Sequence, residues 1–238
     1  MYASTRESPV LLLGSAHVVD LSEPVRRLLR ERPLDGIAVE LDPERAEALL
    51  SPDGPPRRSG SAPLFARLWG VVQRRLGAEI GAGVAGAEMK VAIGIGRERN
   101  LPVFLIDDPI RMTLANLVRA MPFKERVTLL ASAAVGLFLP SRVVEREMDR
   151  YAESPDDYTA ELRRVSPTTA RVLLDDRNVH MAARLAALRQ QGYGRLAAVV
   201  GDAHLVGLRT ELGRHGVPSE VVRFAELKAA TAPSSGSS

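Results

Sequence analysis

Short apolar runs alternate with longer stretches of mixed character along this chain of 238 residues. The short runs predict buried strands, and the longer stretches carry apolar positions at helical spacing. Strands are predicted at 9–14, 37–41, 103–106, 196–200 and 219–223. Strands separated by helices are typical of a mainly parallel sheet with right-handed crossovers. The predicted fold class is therefore α/β, a mainly parallel central sheet flanked by helices.

The longest helical pattern lies between the third and fourth predicted strands, at about 109–191. Prolines at 122, 140, 155 and 167 break it, so it predicts a helical insertion of several pieces. Such an insertion offers a lid or the surface of a homodimer. Other helices are predicted after Asp20 or Ser22, after Pro43, at 64–76, at 84–98 and after His204, with a Pro/Gly/Ser-rich loop at 51–63. We expect one domain over 1–228 and a disordered tail at 229–238.

A buried strand followed by Gly-x-Ala-His is predicted twice, near the two ends of the chain. The motifs are Gly14 to His17 and Gly201 to His204, so they contain two of the four histidines. Glycine permits a positive φ or the close approach of another group at such a turn. Carboxyl ends of parallel strands meet at one edge of a sheet, where ligands bind. We expect His17, Glu40, Asp107 and His204 at this edge.

Two imidazoles with nearby carboxylates favour two kinds of chemistry. They suit a zinc, manganese or cobalt ion, and they also suit a metal-free acid–base pair in which a carboxylate fixes the histidine tautomer. Two residues have a structural alternative. Glu40 is close enough to Pro43 to cap a helix, and Asp107 precedes Pro109 and can do the same.

Glu88 and Arg177 are charged residues on otherwise apolar helix faces. A buried charge needs a partner, so these two can pair with each other, or Arg177 can hold a substrate carboxylate. Residues 81–86 spell GxGxxG, but they follow a predicted helix rather than a strand, so they indicate close packing instead of a nucleotide site. His180 and His215 are predicted on a helix flank and at a helix end.

The composition disfavours some classes of partner and indicates the cellular compartment. The net charge is only +3 and aromatic residues are 4% of the chain, so a nucleic-acid surface is disfavoured. No apolar run reaches the roughly 18 residues that a membrane helix needs. The closest, 127–139, predicts a core or interface helix. The absence of a signal-peptide pattern predicts a cytoplasmic protein, and the absence of cysteine excludes disulfides.

At these residues the chain resembles the TraB family, which is similar to the TIKI metalloproteases, the GumN-type proteins and, more distantly, the erythromycin esterases and ChaN-type proteins. The matching segments run in family order along nearly the whole chain. They are Gly14-Ser15-Ala16-His17, Ile37-Ala38-Val39-Glu40-Leu41 with Arg45, Gly86-Ala87-Glu88-Met89-Lys90, Leu105-Ile106-Asp107, Asp176-Arg177-Asn178 with Met181-Ala182, and Gly201-Asp202-Ala203-His204.

The resemblance implies a catalytic or metal-binding centre at the two GxxH motifs. It implies functional roles for His17, Glu40, Glu88, Arg177 and His204, with His17, His204 and Glu40 as ligands of a divalent ion. A metal-dependent peptidase-like hydrolase acting on a peptide or small molecule is the leading expectation. The alternatives are a metal-free His/Glu esterase and a non-catalytic binder of a peptide or haem-like ligand.

Two departures from the family pattern bear on these expectations. An arginine usually follows the segment that ends at Asp107, whereas this chain has Asp108 and Pro109, so a charge-pairing role for Asp107 would need Arg111 as a substitute. Many members also continue into membrane helices. This chain has none, and we expect either a variant without them or a chain that stops before them.

Overall fold

Five parallel strands form the central sheet of the computed structural model, which describes residues 8–15, 21–51, 86–128 and 155–229. The strands are β1 (Val10–Ser15), β2 (Gly36–Val39), β3 (Val103–Leu105), β4 (Leu196–Gly201) and β5 (Ser219–Val222). Their order is β3-β2-β4-β1-β5, and each neighbouring pair is parallel. The predicted α/β class is confirmed, and the sheet is wholly parallel.

Helices connect the strands, and several of them lie between β3 and β4, as predicted. They are α1 (Ser22–Glu31), α2 (Pro43–Leu50), α3 (Ala87–Glu98), α4 (Ile110–Ala120), α5 (123–128), α6 (Pro155–Val165), α7 (Pro167–Ala170), α8 (Asp176–Gln190), α9 (Leu205–Arg214) and α10 (Phe224–Ala229). A π-helical turn, Arg171–Asp175, joins α7 to α8, and a 3₁₀ turn, Asp202–His204, joins β4 to α9. Helix α10 was not predicted. The predicted helix at 64–76 and all but the first residue of the predicted loop at 51–63 lie outside the described residues.

Strand β2 ends earlier than predicted, at Val39 instead of Leu41. The Glu40 amide still donates to the Val199 carbonyl of β4 at 3.0 Å, but the Leu41 amide turns back to the Val39 carbonyl at 2.8 Å. This tight turn ends the strand and leads the chain into α2. Glu40 is therefore placed at the carboxyl edge of the sheet.

Alternate residues of the strands supply two hydrophobic cores, one on each face of the sheet. On the first face, residues such as Leu13 and Val39 pack against α1 and α3. On the second face, residues such as Leu12 and Ala38 pack against α8 and α9. Burial on both faces explains why the strands are continuous apolar runs in the sequence. Because Glu40 follows Ala38 by two residues, its side chain continues the second face.

Within the described ranges, we find no helix with the length and apolar character needed to cross a bilayer. Of the apolar run at 127–139, only residues 127 and 128 are described, and both are helical. The remainder of that run lies outside the described residues.

Two glycines of α3 provide a matched test of the packing of this helix against β3. A Cβ at Gly96 would overlap Cγ2 of Val103, a β-branched side chain with little rotamer freedom, whereas a Cβ at Gly94 would meet no atom within 4 Å. We expect Gly96→Ala to destabilise the protein by about 1–3 kcal/mol through overpacking. Gly94→Ala should instead stabilise it by up to about 1 kcal/mol through helix propensity.

Urea unfolding of the two variants measures both changes. Equal stabilisation by the two substitutions would contradict the close packing of α3 on β3.

Candidate functional site

Four of the predicted site residues lie together at the carboxyl edge of the sheet, on the face covered by α8 and α9. Glu40 follows β2, and Asp107 lies two residues beyond the end of β3. His204 ends the 3₁₀ turn after β4, and Arg177 lies in the first turn of α8. The side chains of Glu40, Asp107 and His204 are buried, and Arg177 is 12% exposed. The prediction that strand ends would bring Glu40, Asp107 and His204 together is confirmed.

The guanidinium of Arg177 is at the centre of this group. Its Nε donates to Oδ1 of Asp107 at 2.9 Å, and its Nη2 donates to Oδ2 of Asp107 at 2.7 Å and to Oε1 of Glu40. Its Nη1 lies 3.1 Å from both the Leu173 carbonyl oxygen and Nε2 of His204. A guanidinium has five N–H donors, and these contacts use all five. A substrate can therefore receive a hydrogen bond from Arg177 only if one of them is exchanged.

The π-helical turn before α8 positions Arg177. The Asp176 amide donates to the Arg171 carbonyl, five residues earlier, so the last turn before Arg177 is wider than an α-helical turn. The Leu173 carbonyl oxygen then accepts a hydrogen bond from the Arg177 side chain. Single π-turns within helices are frequent at functional sites, and this one fixes the direction of the guanidinium.

Both ring nitrogens of His204 have partners. Nδ1 lies 2.8 Å from Oδ1 of Asn178, and Nε2 lies 3.1 Å from Nη1 of Arg177 and 3.4 Å from Oε1 of Glu40. The predicted carboxylate beside a histidine is present in Glu40, although Asn178 is the closer partner of the ring.

The carboxyl group of Glu40 is ionised in this environment. Burial by itself would raise the pKa of Glu40, but the His204 ring when it is protonated, the Arg177 guanidinium and the Gly201 amide hold it well below its usual value. The Gly201 amide donates to Oε2 at 2.6 Å. For Arg177, burial lowers the pKa, but Glu40 and Asp107 outweigh this effect and raise the pKa above its ordinary value. The site thus holds fixed charges of both signs.

A second guanidinium, that of Arg45, supports Asp107 from the other side. Its Nη2 donates to Oδ2 of Asp107 and, at 3.1 Å, to the Glu40 carbonyl oxygen. Arg111 does not take this role, because it pairs with Glu44 at 3.2 Å on an exposed part of the surface. The sequence did not predict the contact between Arg45 and Asp107, because the two residues are 62 positions apart along the chain.

Helix capping near Glu40 and Asp107 is done by Asp42, which the sequence analysis missed. Oδ1 of Asp42 accepts from the Arg45 amide at 2.9 Å at the start of α2, and Oδ2 accepts from the Ile110 amide at 3.2 Å at the start of α4. The capping alternatives for Glu40 and Asp107 are therefore wrong. An aspartate directly before Pro43 is the usual sequence signal of an N-cap and could have identified Asp42.

The two GxxH motifs lie on neighbouring strands. β1 pairs with β4, and Ser15 lies opposite Gly201. Neither Gly14 nor Gly201 has a positive φ, so close approach and not backbone conformation accounts for glycine there. A Cβ at Gly14 would overlap Oδ1 of Asp202 and lie 2.7 Å from a methyl carbon of Leu205. His17, the histidine of the first motif, lies outside the described residues.

Glu88 does not pair with Arg177. It lies in the first turn of α3, is 1% exposed, and neighbours Met89 of the core on the first face of the sheet. The ion pairs of Arg177 are those with Glu40 and Asp107 on the second face. The predicted Glu88–Arg177 pair is therefore wrong, because the sheet separates α3 from α8.

The remaining sequence features are peripheral to this group. His180 is on a flank of α8, where Nδ1 lies 3.3 Å from Oδ1 of Asp108, and His215 caps the end of α9, as predicted. Of the GxGxxG pattern, only Gly86 is described; it precedes α3 with φ of 95°. Residues 81–85 lie outside the described residues.

The described residues do not fit a divalent metal ion. Among them, no three histidine or acidic side chains converge in a way that could hold one. Glu40 and His204 both contact the Arg177 guanidinium, so a cation already occupies the position between them. A metal at this point would have to displace Arg177, at the cost of two buried ion pairs.

Nearly the whole sequence is similar to one known protein family. The sequence pattern of the TraB/PrgY/gumN family matches residues 3–218. An uncharacterized protein of Methanocaldococcus jannaschii, MJ1365, is 31% identical over 222 residues, which cover 87% of this chain and 54% of the relative. The chain thus spans about half the length of the curated relative that it matches.

Replacing Glu40 with glutamine should make the free energy of unfolding depend less on pH in the acid range. The pKa of Glu40 is lower in the folded protein than the value of about 4.3 in an unfolded chain. Its ionised form therefore stabilises the folded state above that pH, and this contribution is lost as the pH falls through the folded-state pKa. We expect the wild type to lose stability from about pH 5 downward more steeply than Glu40→Gln. At pH 7 the variant should be less stable by about 3 kcal/mol, because Arg177 loses a buried partner.

Urea unfolding across this pH range measures the effect. Glu98→Gln is the control, since Glu98 pairs with Arg30 at 2.9 Å on the surface, where solvent screens the charges. If the free energy of unfolding falls equally steeply with decreasing pH in the wild type and in Glu40→Gln, the role assigned to this carboxylate is contradicted.

Proposed function

Because the chain belongs to the TraB/PrgY/gumN family, we propose that it is a hydrolase whose site contains His204, Glu40 and Arg177. His204 acts as the general base toward water, and the carboxylate of Glu40 stabilises the histidine when it becomes charged. The substrate class is a carbonyl compound, an ester or a peptide. This form of the chemistry requires no metal at the described residues.

One observation carries the proposal. Nε2 of His204 and Oε1 of Glu40 are 3.4 Å apart, both are buried, and both contact the same guanidinium. Groups that can accept a proton and converge at the carboxyl edge of a parallel sheet are typical of a catalytic site. A purely structural ion pair between Arg177 and Glu40 would not require a histidine nitrogen beside both partners.

The proposed reaction uses the ring as a proton carrier. Nε2 takes a proton from water while the water oxygen bonds to the substrate carbonyl carbon and the carbonyl electrons move to its oxygen. The same proton then passes to the leaving oxygen or nitrogen as its bond to carbon breaks. Between these steps Nε2 is protonated, so the Nη1–H of Arg177 loses its acceptor and becomes available to the oxyanion.

The metal-dependent form of the hydrolase is the second candidate. It would require His17, which lies outside the described residues, and a different position for Arg177. When bound, a divalent ion would polarise the carbonyl and lower the pKa of water. The described geometry favours the metal-free form, because Arg177 already neutralises Glu40 and donates to His204.

A haem-like ligand fits the described site less well. An axial histidine must offer one free ring nitrogen to the iron. Both nitrogens of His204 are engaged, one by Asn178 and the other by Arg177. Binding of haem through His204 would break one of these buried hydrogen bonds.

Hydrolysis of p-nitrophenyl esters and of fluorescently labelled casein in the presence of EDTA tests the proposal. We expect His204→Ala to lower kcat/KM by about 100-fold or more, since general acid–base catalysis contributes that much. Glu40→Gln should lower kcat with a smaller effect on KM. His215→Ala is the matched control, because His215 is an exposed imidazole at a helix end and measures the background rate of free histidine on activated esters.

Three results would contradict the proposal. They are full activity of His204→Ala, a loss of activity in EDTA that manganese, cobalt or zinc reverses, and no turnover of any of these probes by the wild type. The second result would assign the metal-dependent form. A metal-induced rise in melting temperature that disappears in the His17→Ala/His204→Ala double variant would support it independently.

A further inference from the structure

The tautomer of His204 follows from the chemistry of its neighbours. Arg177 remains protonated at any ordinary pH, so its Nη1 can only donate a hydrogen bond. Nε2 of His204 lies closer to Nη1, at 3.1 Å, than to Oε1 of Glu40, at 3.4 Å, so the shorter contact assigns Nε2 as an acceptor without a proton. A neutral imidazole has one N–H, and it must then be on Nδ1.

Asn178 is the partner of that N–H. Its Oδ1 lies 2.8 Å from Nδ1 of His204, and both residues are almost fully buried. If the amide were turned round, two donors would face each other, so the network assigns the oxygen to the side of the ring. Asn178 and Arg177 thus act on opposite nitrogens of the ring and favour the same tautomer.

Gly207 leaves the space in which the Asn178 side chain lies. It is in α9, three residues after His204, and a Cβ at this position would overlap Nδ2 of Asn178 and lie 3.0 Å from its Cγ. Any other residue at 207 would push the amide away from the histidine ring. Gly213, in the same helix, would accept a Cβ with no atom within 4 Å.

From these contacts we propose that Asn178 is a positioning residue that holds His204 in the Nδ1-protonated tautomer, and that Gly207 is required because it makes room for Asn178. What this tautomer is used for rests on the proposed function, in which Nε2 must be unprotonated to accept a proton from water. Without Asn178, Nδ1–H loses this acceptor, and the proton can move to Nε2, where Oε1 of Glu40 lies 3.4 Å away as an alternative acceptor. The site would then lose its proton acceptor.

Two-bond ¹H–¹⁵N spectra of the histidine rings test the proposal directly, because they distinguish protonated from unprotonated ring nitrogens. They are recorded above the ordinary pKa of histidine, about 6.5, and His204→Gln identifies the signals of His204. We expect Nδ1–H in the wild type, in Gly213→Ala and in Asn178→Asp, whose carboxylate also accepts from Nδ1. In Asn178→Ala and Gly207→Ala the fraction with Nε2–H should rise.

A double-mutant cycle separates this constraint from a general packing defect. Gly207→Ala should lower the melting temperature of the wild type, but it should have little effect in the Asn178→Ala background, where the overlapping side chain is absent. This comparison remains informative even if Gly207→Ala alone folds poorly. Gly213→Ala should have the same small effect in both backgrounds.

The proposal is overturned if His204 in the wild type carries its proton on Nε2 or on both nitrogens. It is also overturned if Asn178→Ala keeps the wild-type tautomer, or if Gly207→Ala is equally harmful in both backgrounds. None of these readouts depends on turnover. A protein with the expected tautomer but no hydrolytic activity would therefore contradict the proposed function and leave the role of Asn178 intact.

Discussion

The guanidinium of Arg177, buried between two carboxylates and a histidine, is the interaction on which the rest of the site depends. A charge in this position is stable only when its hydrogen-bonding capacity is satisfied. Arg177 meets this requirement with Asp107, Glu40, His204 and the Leu173 carbonyl. Each partner belongs to a different segment of the chain, so the guanidinium connects β2, β3, β4 and the turn before α8.

The buried guanidinium affects both Glu40 and His204 at the carboxyl edge of the sheet. A cation that is part of the protein holds the carboxylate of Glu40 in its ionised form and directs a donor at Nε2 of His204. The same donor also fixes the orientation of the ring relative to Arg177. A positive charge of the protein itself thus neutralises this buried carboxylate.

Several further residues hold Asp107 and His204 in place around Arg177. Arg45 holds Asp107, and Asp42 both caps α2 and accepts from the first amide of α4. Asn178 holds the ring of His204 against α9. Such outer contacts fix the rotamers of the groups that react, and residues of this kind are often needed for full activity. These contacts come from both faces of the sheet, since α2, which carries Arg45, packs on the first face and α8, which carries Asn178, packs on the second.

The sequence by itself determined the α/β class, the five strands, the helical stretch between β3 and β4, and the placement of Glu40, Asp107 and His204 at one edge. These features follow from local periodicity and from the rule that carboxyl ends of parallel strands converge. It did not determine which charges meet. The sequence left two partners open for Arg177, Glu88 or a substrate carboxylate, and the helices that carry Glu88 and Arg177 pack on opposite faces of the sheet. The contact of Arg45 with Asp107 joins residues 62 positions apart, and that of Asn178 with His204 joins two helical segments 26 positions apart. Only the tertiary structure decides such contacts. A buried ion pair or hydrogen bond depends on distance and direction in space, and the spacing of residues along the chain specifies neither.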